Sequence, residues 1–312
     1  MLDAPLRGLF LWLAHRRWVA RLSLHTPFVR RVALRFVAGT DLEQAVEAVR
    51  VLNGSGMSAT LDHLGESVTD RATAERAAAA YVATIERIDA EHLDANVSLK
   101  LTQMGLDLGT DLCLEVLRPV AEASRAHGIF VRVDMESHEY TDRTLEVVRA
   151  LRAEGYDIGP VIQSYLHRSK ADVAALAAER VRVRVCKGAY AEPATIAWHD
   201  RASIGESFVE LSRVLLEADA YPAIATHDLA MIEAVKRLAA ERSIPPDRYE
   251  FQMLYGIRRD LQARLVREGY RVRIYVPFGT EWYPYFMRRL AERPGNVMFV
   301  LRSIFGERRR PG

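Results

Sequence analysis

Ten polar residues of this chain stand at or near the ends of short apolar runs: Asp62, Lys100, Asp134, Gln163, Arg184, Lys187, Thr226, His227, Gln252 and Tyr275. Acids, permanent cations and neutral donors are mixed here, a set suited to fixing an anion and to placing charge and hydrogen bonds around a polar ring. A further constellation lies in "EWYPYFMRRLAERP", residues 281–294. Tyr285, Arg288, Arg289 and Glu292 recur there at i, i+3, i+4 and i+7, which puts all four on one face of a helix with Pro284 near its first turn. Two guanidinium groups on one face can grip a carboxylate through paired hydrogen bonds, and neither loses its charge near neutral pH. The aromatic neighbours Trp282, Tyr283 and Phe286 supply walls for a small apolar body attached to that carboxylate.

Other chemistries lack their residues. There is no HExxH, no paired-histidine spacing and no Asp-rich calcium loop, so no metal site is expected. A GxSxG nucleophile elbow is missing as well. "GSGMSA", residues 54–59, matches G-x-G-x-x-A, but it follows a helical stretch and leads into a strand. The dinucleotide motif needs the reverse order, so this segment reads as a turn.

These residues need a frame. After residue 50 short β-rich runs alternate with amphipathic helical stretches. The strand candidates are "SATLDHLG", "ANVSLKLTQMG", "IFVRVDME", "IGPVIQSYL", "VRVRVCKGAY", "PAIATHD", "YEFQMLYG" and "YRVRIYVPFG". Eight strands, each followed by a helix, predict an α/β fold of the (β/α)8 barrel type, whose sites form at the C-terminal ends of the strands. In "VRVRVCKGAY", Arg182 and Arg184 share one strand face and the valines share the other, so one set enters the barrel. The division expected is an N-terminal helical extension over residues 1–45 and a barrel over 46–312.

Composition is that of a globular protein: 312 residues, 49% hydrophobic, 27% charged, net charge +2. Two cysteines, Cys113 and Cys186, form no CxxC, which fits a reducing compartment. No apolar run reaches the roughly 20 residues of a membrane span, and "LFLWLA" is shorter than a signal-peptide core of roughly 7–15 residues. A cytoplasmic location is expected. Residues 1–40 carry seven arginines and one acid, interleaved with apolar residues. Such an arm reads first as a helical cap on the barrel and second as a contact with an anionic membrane surface; no nucleic-acid module accompanies it.

"YFMRR", preceded in order by "SLKLTQMG", "VRVDME", "RVCKGAY", "ATHD" and "EFQMLYG", resembles the proline dehydrogenases, in their short monofunctional bacterial form. The similarity runs from roughly residue 57 to 303. It implies a distorted barrel that binds FAD and oxidises L-proline to Δ1-pyrroline-5-carboxylate by hydride transfer to flavin N5, passing electrons to a membrane quinone. By this resemblance Arg288 and Arg289 pair with the proline carboxylate, helped by Lys100, while Leu254, Tyr275 and Tyr285 wall the ring. Asp134 organises the cluster, and Arg184 lies near flavin N5. Met135, Gln163, Lys187, Gly188, Ala189, Tyr190, Thr226, His227 and Glu292 fall on the cofactor side. Cys186 replaces a bulkier aliphatic residue of many relatives, and tyrosine at 275 resembles members that prefer proline to hydroxyproline. No side chain is assigned as the base for the substrate amine. Two readings of other classes stand beside this one: a barrel lyase forming a Schiff base on Lys100 or Lys187, and a non-catalytic protein acting through its basic arm.

Overall fold

The computed structural model describes residues 35–292, with side chains through Met287. Helix α1 (Leu42–Gly54) precedes strand β1 (Ser58–His63), and seven further β/α units follow. The strands are β2 (Ala95–Leu99), β3 (Val131–Val133), β4 (Ile158–Gln163), β5 (Arg184–Cys186), β6 (Ala223–Ala225), β7 (Glu250–Leu254) and β8 (Val272–Phe278). Between them run α2 (Arg71–Ala90), α3 (Thr110–His127), α4 (Thr141–Ala153), α5 (Ser169–Ala178), α6 (Arg201–Glu217), α7 (Leu229–Glu241) and α8 (Arg259–Arg267), and α9 (Trp282–Glu292) ends the described chain. All eight strands pair in parallel in sequence order, and β8 closes on β1 through a register that joins Ser58 to Arg273 and His63 to Phe278. The expected (β/α)8 barrel is thus present, a closed parallel barrel wrapped in helices.

Local sequence explains the punctuation. Asp41, Asp70, Asp200 and Asp228 each cap a helix by accepting a backbone N–H: from Gln44 at 2.9 Å, Thr73 at 2.8 Å, Ser203 at 2.7 Å and Ala230 at 3.0 Å. Gly128 ends α3 in the left-handed conformation, with φ 65°. The "GSG" turn, as expected, only carries the chain from α1 into β1: Gly56 has φ +76° and no helix follows it.

Alternation along the strands sends Val97, Val131, Val133, Val185, Ile224, Phe251 and Ile274 into a dry layer beneath the helices. The opposite faces carry Thr60, Asp62, Asn96, Ser98, Arg132, Arg184, Glu250 and Gln252, all buried. Barrel lumens are usually filled with branched aliphatic side chains, so here the interior polar groups must satisfy one another. Arg273 does so with Glu250, its Nε donating to both carboxylate oxygens at 3.0 Å, and it reaches the Ala59 carbonyl at 2.7 Å.

Strand β5 is shorter than its apolar run. Only Arg184–Cys186 pair, and Arg182 lies before the strand, exposed, with its guanidinium over the Phe130 and Tyr221 rings. Arg184 alone of the two enters the lumen. The chain before α1 lies beside the end of β8: Ala38 N donates to Pro277 O at 2.9 Å, Gly279 N to Gly39 O at 3.0 Å, and Phe36 meets Phe286 with ring centroids 6.1 Å apart. Most of the expected N-terminal extension, residues 1–34, falls outside the described residues, while residues 42–45 already belong to α1.

Candidate active site

Asp134 follows β3 directly and sits at the centre of the barrel mouth. Its Oδ1 accepts from Ser98 Oγ at 2.7 Å and from Arg184 Nη1 at 2.8 Å, and its Oδ2 accepts from the Tyr275 hydroxyl at 2.7 Å. Lys100, one residue past β2, puts Nζ 3.9 Å from Asp134 Oδ2 and 3.6 Å from Asp62 Oδ2. Four strands therefore converge on one carboxylate. Parallel register makes this possible, because β2, β3, β5 and β8 all end at the same face.

Charge states follow from burial and partners. Burial alone would push the Asp134 carboxyl up, but the Arg184 guanidinium and the Lys100 ammonium outweigh it and hold the acid below its ordinary range. Burial would likewise lower the Lys100 ammonium, yet the Asp62 and Asp134 carboxylates keep it above its usual value. Asp62 is pushed up, first by burial, with Lys100 partly offsetting. Burial and then the Asp134 charge raise the Tyr275 phenol well above normal, so it stays a neutral donor. The mouth thus presents an ionised acid, a protonated amine and a protonated phenol.

Arg184 is held at two of its three nitrogens. Nε donates to Gln252 Oε1 at 2.5 Å, Nη1 to Asp134, and Cζ lies 5.3 Å from the Tyr275 ring centroid. Nη2 is buried and has no hydrogen-bond partner. An orphaned guanidinium donor beside an aromatic wall fits a polar ring system such as a flavin. Gly188 has φ +104°, and a Cβ there would collide with the Tyr165 ring, so the chain past β5 makes a turn that favours glycine, its backbone packed closely on that ring.

The other cofactor-side residues lie on neighbouring ends of β3 to β6. Lys187 Nζ pairs with Asp228 Oδ2 at 2.6 Å. Thr226 is buried and its hydroxyl caps the Asp228 N–H at 3.1 Å, and His227 Nε2 accepts from the Leu254 N–H at 2.9 Å, which puts the proton of the neutral ring on Nδ1. Gln163 donates to the Glu136 carbonyl at 2.8 Å, and Met135 is buried between the same strands. Ala189 and Tyr190 are exposed in the loop after β5.

On the substrate side, Leu254 ends β7 half-buried and Tyr285 is buried in the first turns of α9. Trp282 and Tyr283 are also buried, their rings 6.1 Å apart and nearly perpendicular, and Trp282 packs on Phe286 at 6.3 Å. These aromatics seat α9 on the barrel. The helix backbone reaches Arg288, Arg289 and Glu292, whose side chains lie outside the described residues.

Several partners in the site carry little signal in the sequence. Ser98 stands two residues before Lys100 in the same motif, Asp228 closes "ATHD", and Glu192 lies two residues past Tyr190. Glu192 is buried and takes the His138 N–H at 2.9 Å together with the His138 ring, pinning the loop that carries Gly188. Only an apolar neighbourhood would have flagged it, and none is visible locally. Among the described residues no group of three or more His, Cys, Asp or Glu could hold a metal ion. No described helix is long and apolar enough to cross a membrane.

Comparison with known proteins identifies the family. A family model described as proline dehydrogenase matches residues 45–302. Proline dehydrogenase 1 of Bacillus subtilis subsp. natto is 41% identical over 299 residues, which is 96% of this chain and 99% of that protein. The proline dehydrogenase of Deinococcus radiodurans is 41% identical over 309 residues, covering 97% and 99%. Proline utilization A of Bdellovibrio bacteriovorus, solved after inactivation by N-propargylglycine, superposes with a TM-score of 0.82 at 26% identity. That match covers 98% of this chain and 38% of the longer one. A full-length family match, close relatives of the same length and the shared barrel place this chain in the proline dehydrogenase family, in its short monofunctional form.

Proposed function

We propose that the barrel mouth binds L-proline and FAD and oxidises the amino acid to Δ1-pyrroline-5-carboxylate. The observation that carries this reading is the single carboxylate, Asp134, drawing Arg184, Lys100, Ser98 and Tyr275 into one buried network while Arg184 Nη2 is left without a partner.

Arg288 and Arg289 on α9 take the proline carboxylate, and Lys100 adds a third positive charge. Tyr275, Tyr285 and Leu254 enclose the pyrrolidine ring. Arg184, Lys187, Gly188, Gln163, Thr226 and His227 hold the flavin, with Met135, Ala189, Tyr190 and Glu292 around it. Bound FAD would supply the two-electron acceptor, taking a hydride at N5 from the carbon beside the proline nitrogen and giving the electrons to a membrane quinone. The positive charges of Arg184 and Lys187 would favour the negatively charged reduced form of a bound flavin.

The protein's own groups leave the amine proton to solvent. Lys100 and Tyr275 keep their protons, and Asp134 already accepts from three donors and is held below its ordinary range, which makes it a weak base. The substrate amine therefore enters the reaction already neutral, and turnover rises with pH towards the amine's own pKa. Lys100 is a poor Schiff-base nucleophile for the same reason, because an amine must be unprotonated to attack a carbonyl. The site's reaction with a hydrophobic electron carrier suits work at the inner face of the cell membrane, with the basic arm as a peripheral contact.

The test is direct. Purified holoenzyme is expected to be yellow and to bleach on anaerobic addition of L-proline. A colourless protein that borohydride traps on a carbonyl substrate would overturn the reading in favour of the lyase. Flotation with anionic liposomes, lost when residues 1–40 are deleted, is the expected result for the membrane contact.

A further inference from the structure

Arg184 owes its direction to a chain of interior side chains that runs down the lumen away from the mouth. Its Nε donates to Gln252 Oε1 at 2.5 Å, and Gln252 Nε2 donates in turn to Glu250 Oε1 at 2.5 Å. Glu250 is held in place by Arg273, whose Nε reaches both carboxylate oxygens at 3.0 Å while Nη1 grips the Ala59 carbonyl at 2.7 Å. Gln252 and Glu250 share β7, Arg273 comes from the neighbouring β8, and Arg184 reaches them across the lumen from β5, with β6 between.

The chain has a fixed polarity. An amide can in principle be turned over, exchanging its oxygen and nitrogen, and nothing in its shape prevents this. Here charge decides. Glu250 is an anion kept below its ordinary range, because burial is outweighed by Arg273 and by the Gln252 amide. It accepts only a donor, so the Gln252 nitrogen must face Glu250 and the oxygen must face Arg184. A turned amide would set its oxygen against a carboxylate and its N–H against a guanidinium, two repulsive contacts in a dry interior.

We infer that Gln252, oriented by Glu250, is a positioning residue for the oxidation, fixing the Arg184 guanidinium so that its unpartnered Nη2 points where the flavin binds. Nε and Nη1 are both committed, one to Gln252 and one to Asp134, so the plane of the guanidinium has a single orientation. Removing the Gln252 contact leaves only Nη1 held, by Asp134 at 2.8 Å and Ser98 Oγ at 3.3 Å, so the group can swing about that one nitrogen. The inference rests on the reading of Arg184 as a flavin contact.

The experiment measures the flavin midpoint potential and the steady-state constants of the intact holoenzyme for three variants. Gln252→Met keeps the length and volume of the side chain and removes both its donor and its acceptor. The expected result is retained flavin, a proline KM within about threefold of the parent, and a kcat about tenfold lower. The midpoint should fall by ~30 mV, the equivalent of a tenfold weaker hold on the reduced form of a two-electron couple. Glu250→Gln leaves Gln252 present but free to turn over, so a smaller shift in the same direction is expected. This second variant carries the test if the first does not accumulate as folded protein. Arg184→Lys is the control for the underlying reading, and it should move the midpoint at least as far as Gln252→Met.

A shifted midpoint in Arg184→Lys, with potential and kcat unchanged in both lumen variants, overturns the positioning role of Gln252. An unchanged midpoint in Arg184→Lys overturns the flavin-contact reading itself. A merely structural role for Gln252 would lower the melting temperature without moving the potential, and that outcome too counts against the inference.

Discussion

The Tyr275 hydroxyl donates to Asp134 Oδ2 at 2.7 Å across the barrel mouth, joining strand β8 to the end of β3. Two residues 141 positions apart in sequence thereby share one proton-donor and acceptor pair. The same tyrosine ring lies 5.3 Å from the Arg184 guanidinium, so it serves both as hydrogen-bond donor and as apolar floor.

Tyr275→Phe separates these two roles. The ring stays and the bond to a buried carboxylate goes, a contact worth about 1.5–3 kcal/mol when one partner is charged. Proline kcat/KM is expected to fall about tenfold or more, with the melting temperature lowered by a few degrees. A fall below twofold would show that Asp134 does not need this donor.

Asp134→Asn leaves Arg184 and Lys100 facing a neutral amide. Breaking a buried ion pair from one side costs about 3–5 kcal/mol, so a clearly lower melting temperature is expected at pH 7. The pH dependence has a definite sign. Asp134 has a depressed folded pKa, so its stabilisation is complete above the ordinary aspartate value near ~4 and is lost as pH falls from there through the lower folded value. In an acid titration the variant should lose less stability over that window than the parent. Parallel curves would remove Asp134 as the source.

Lys100 titrates in the opposite sense. Its folded pKa is raised, so the stability it adds is fully present below its unfolded value near ~10.4 and fades as pH rises through the folded one. It therefore stays protonated at neutral and mildly alkaline pH. Borohydride with a carbonyl substrate at pH 8 is expected to leave the protein mass unchanged, and a stable adduct on Lys100 would contradict this.

Gly188→Ala places a side chain in a left-handed turn and against the Tyr165 ring. The conformational strain alone is about 1–2 kcal/mol. The ratio of flavin to protein after purification is the readout, and it should drop well below one. Full occupancy would show that the loop after β5 relaxes without consequence.

Arg288→Lys replaces a planar two-point donor by a single ammonium. A proline KM raised by about tenfold or more is expected, with flavin still bound. Unchanged kinetics would take Arg288 out of the carboxylate clamp.

Much of this was legible along the chain, and the reason is periodicity. Alternating apolar runs and amphipathic helices are local patterns, so eight strands, their order and the face bearing the polar residues could all be read from neighbours in sequence. Lys100 and Asp134 were visible because each breaks an apolar run near its C-terminal end, and Tyr275 because it puts a hydroxyl inside one. The spacing of Tyr285, Arg288 and Arg289 likewise follows from 3.6 residues per turn.

Only the closed barrel decided which of these residues meet. Strand pairing sets the register that brings Ser98 and Arg184 onto the same oxygen of Asp134, and no local pattern encodes that register. It also showed that Arg182 stays outside while Arg184 goes in, because pairing in β5 begins at residue 184. Gln252 was visible as a polar residue near a strand end. Its link from Glu250 to Arg184 depends on three strands closing around a dry interior, where every buried charge must find its partner across the lumen.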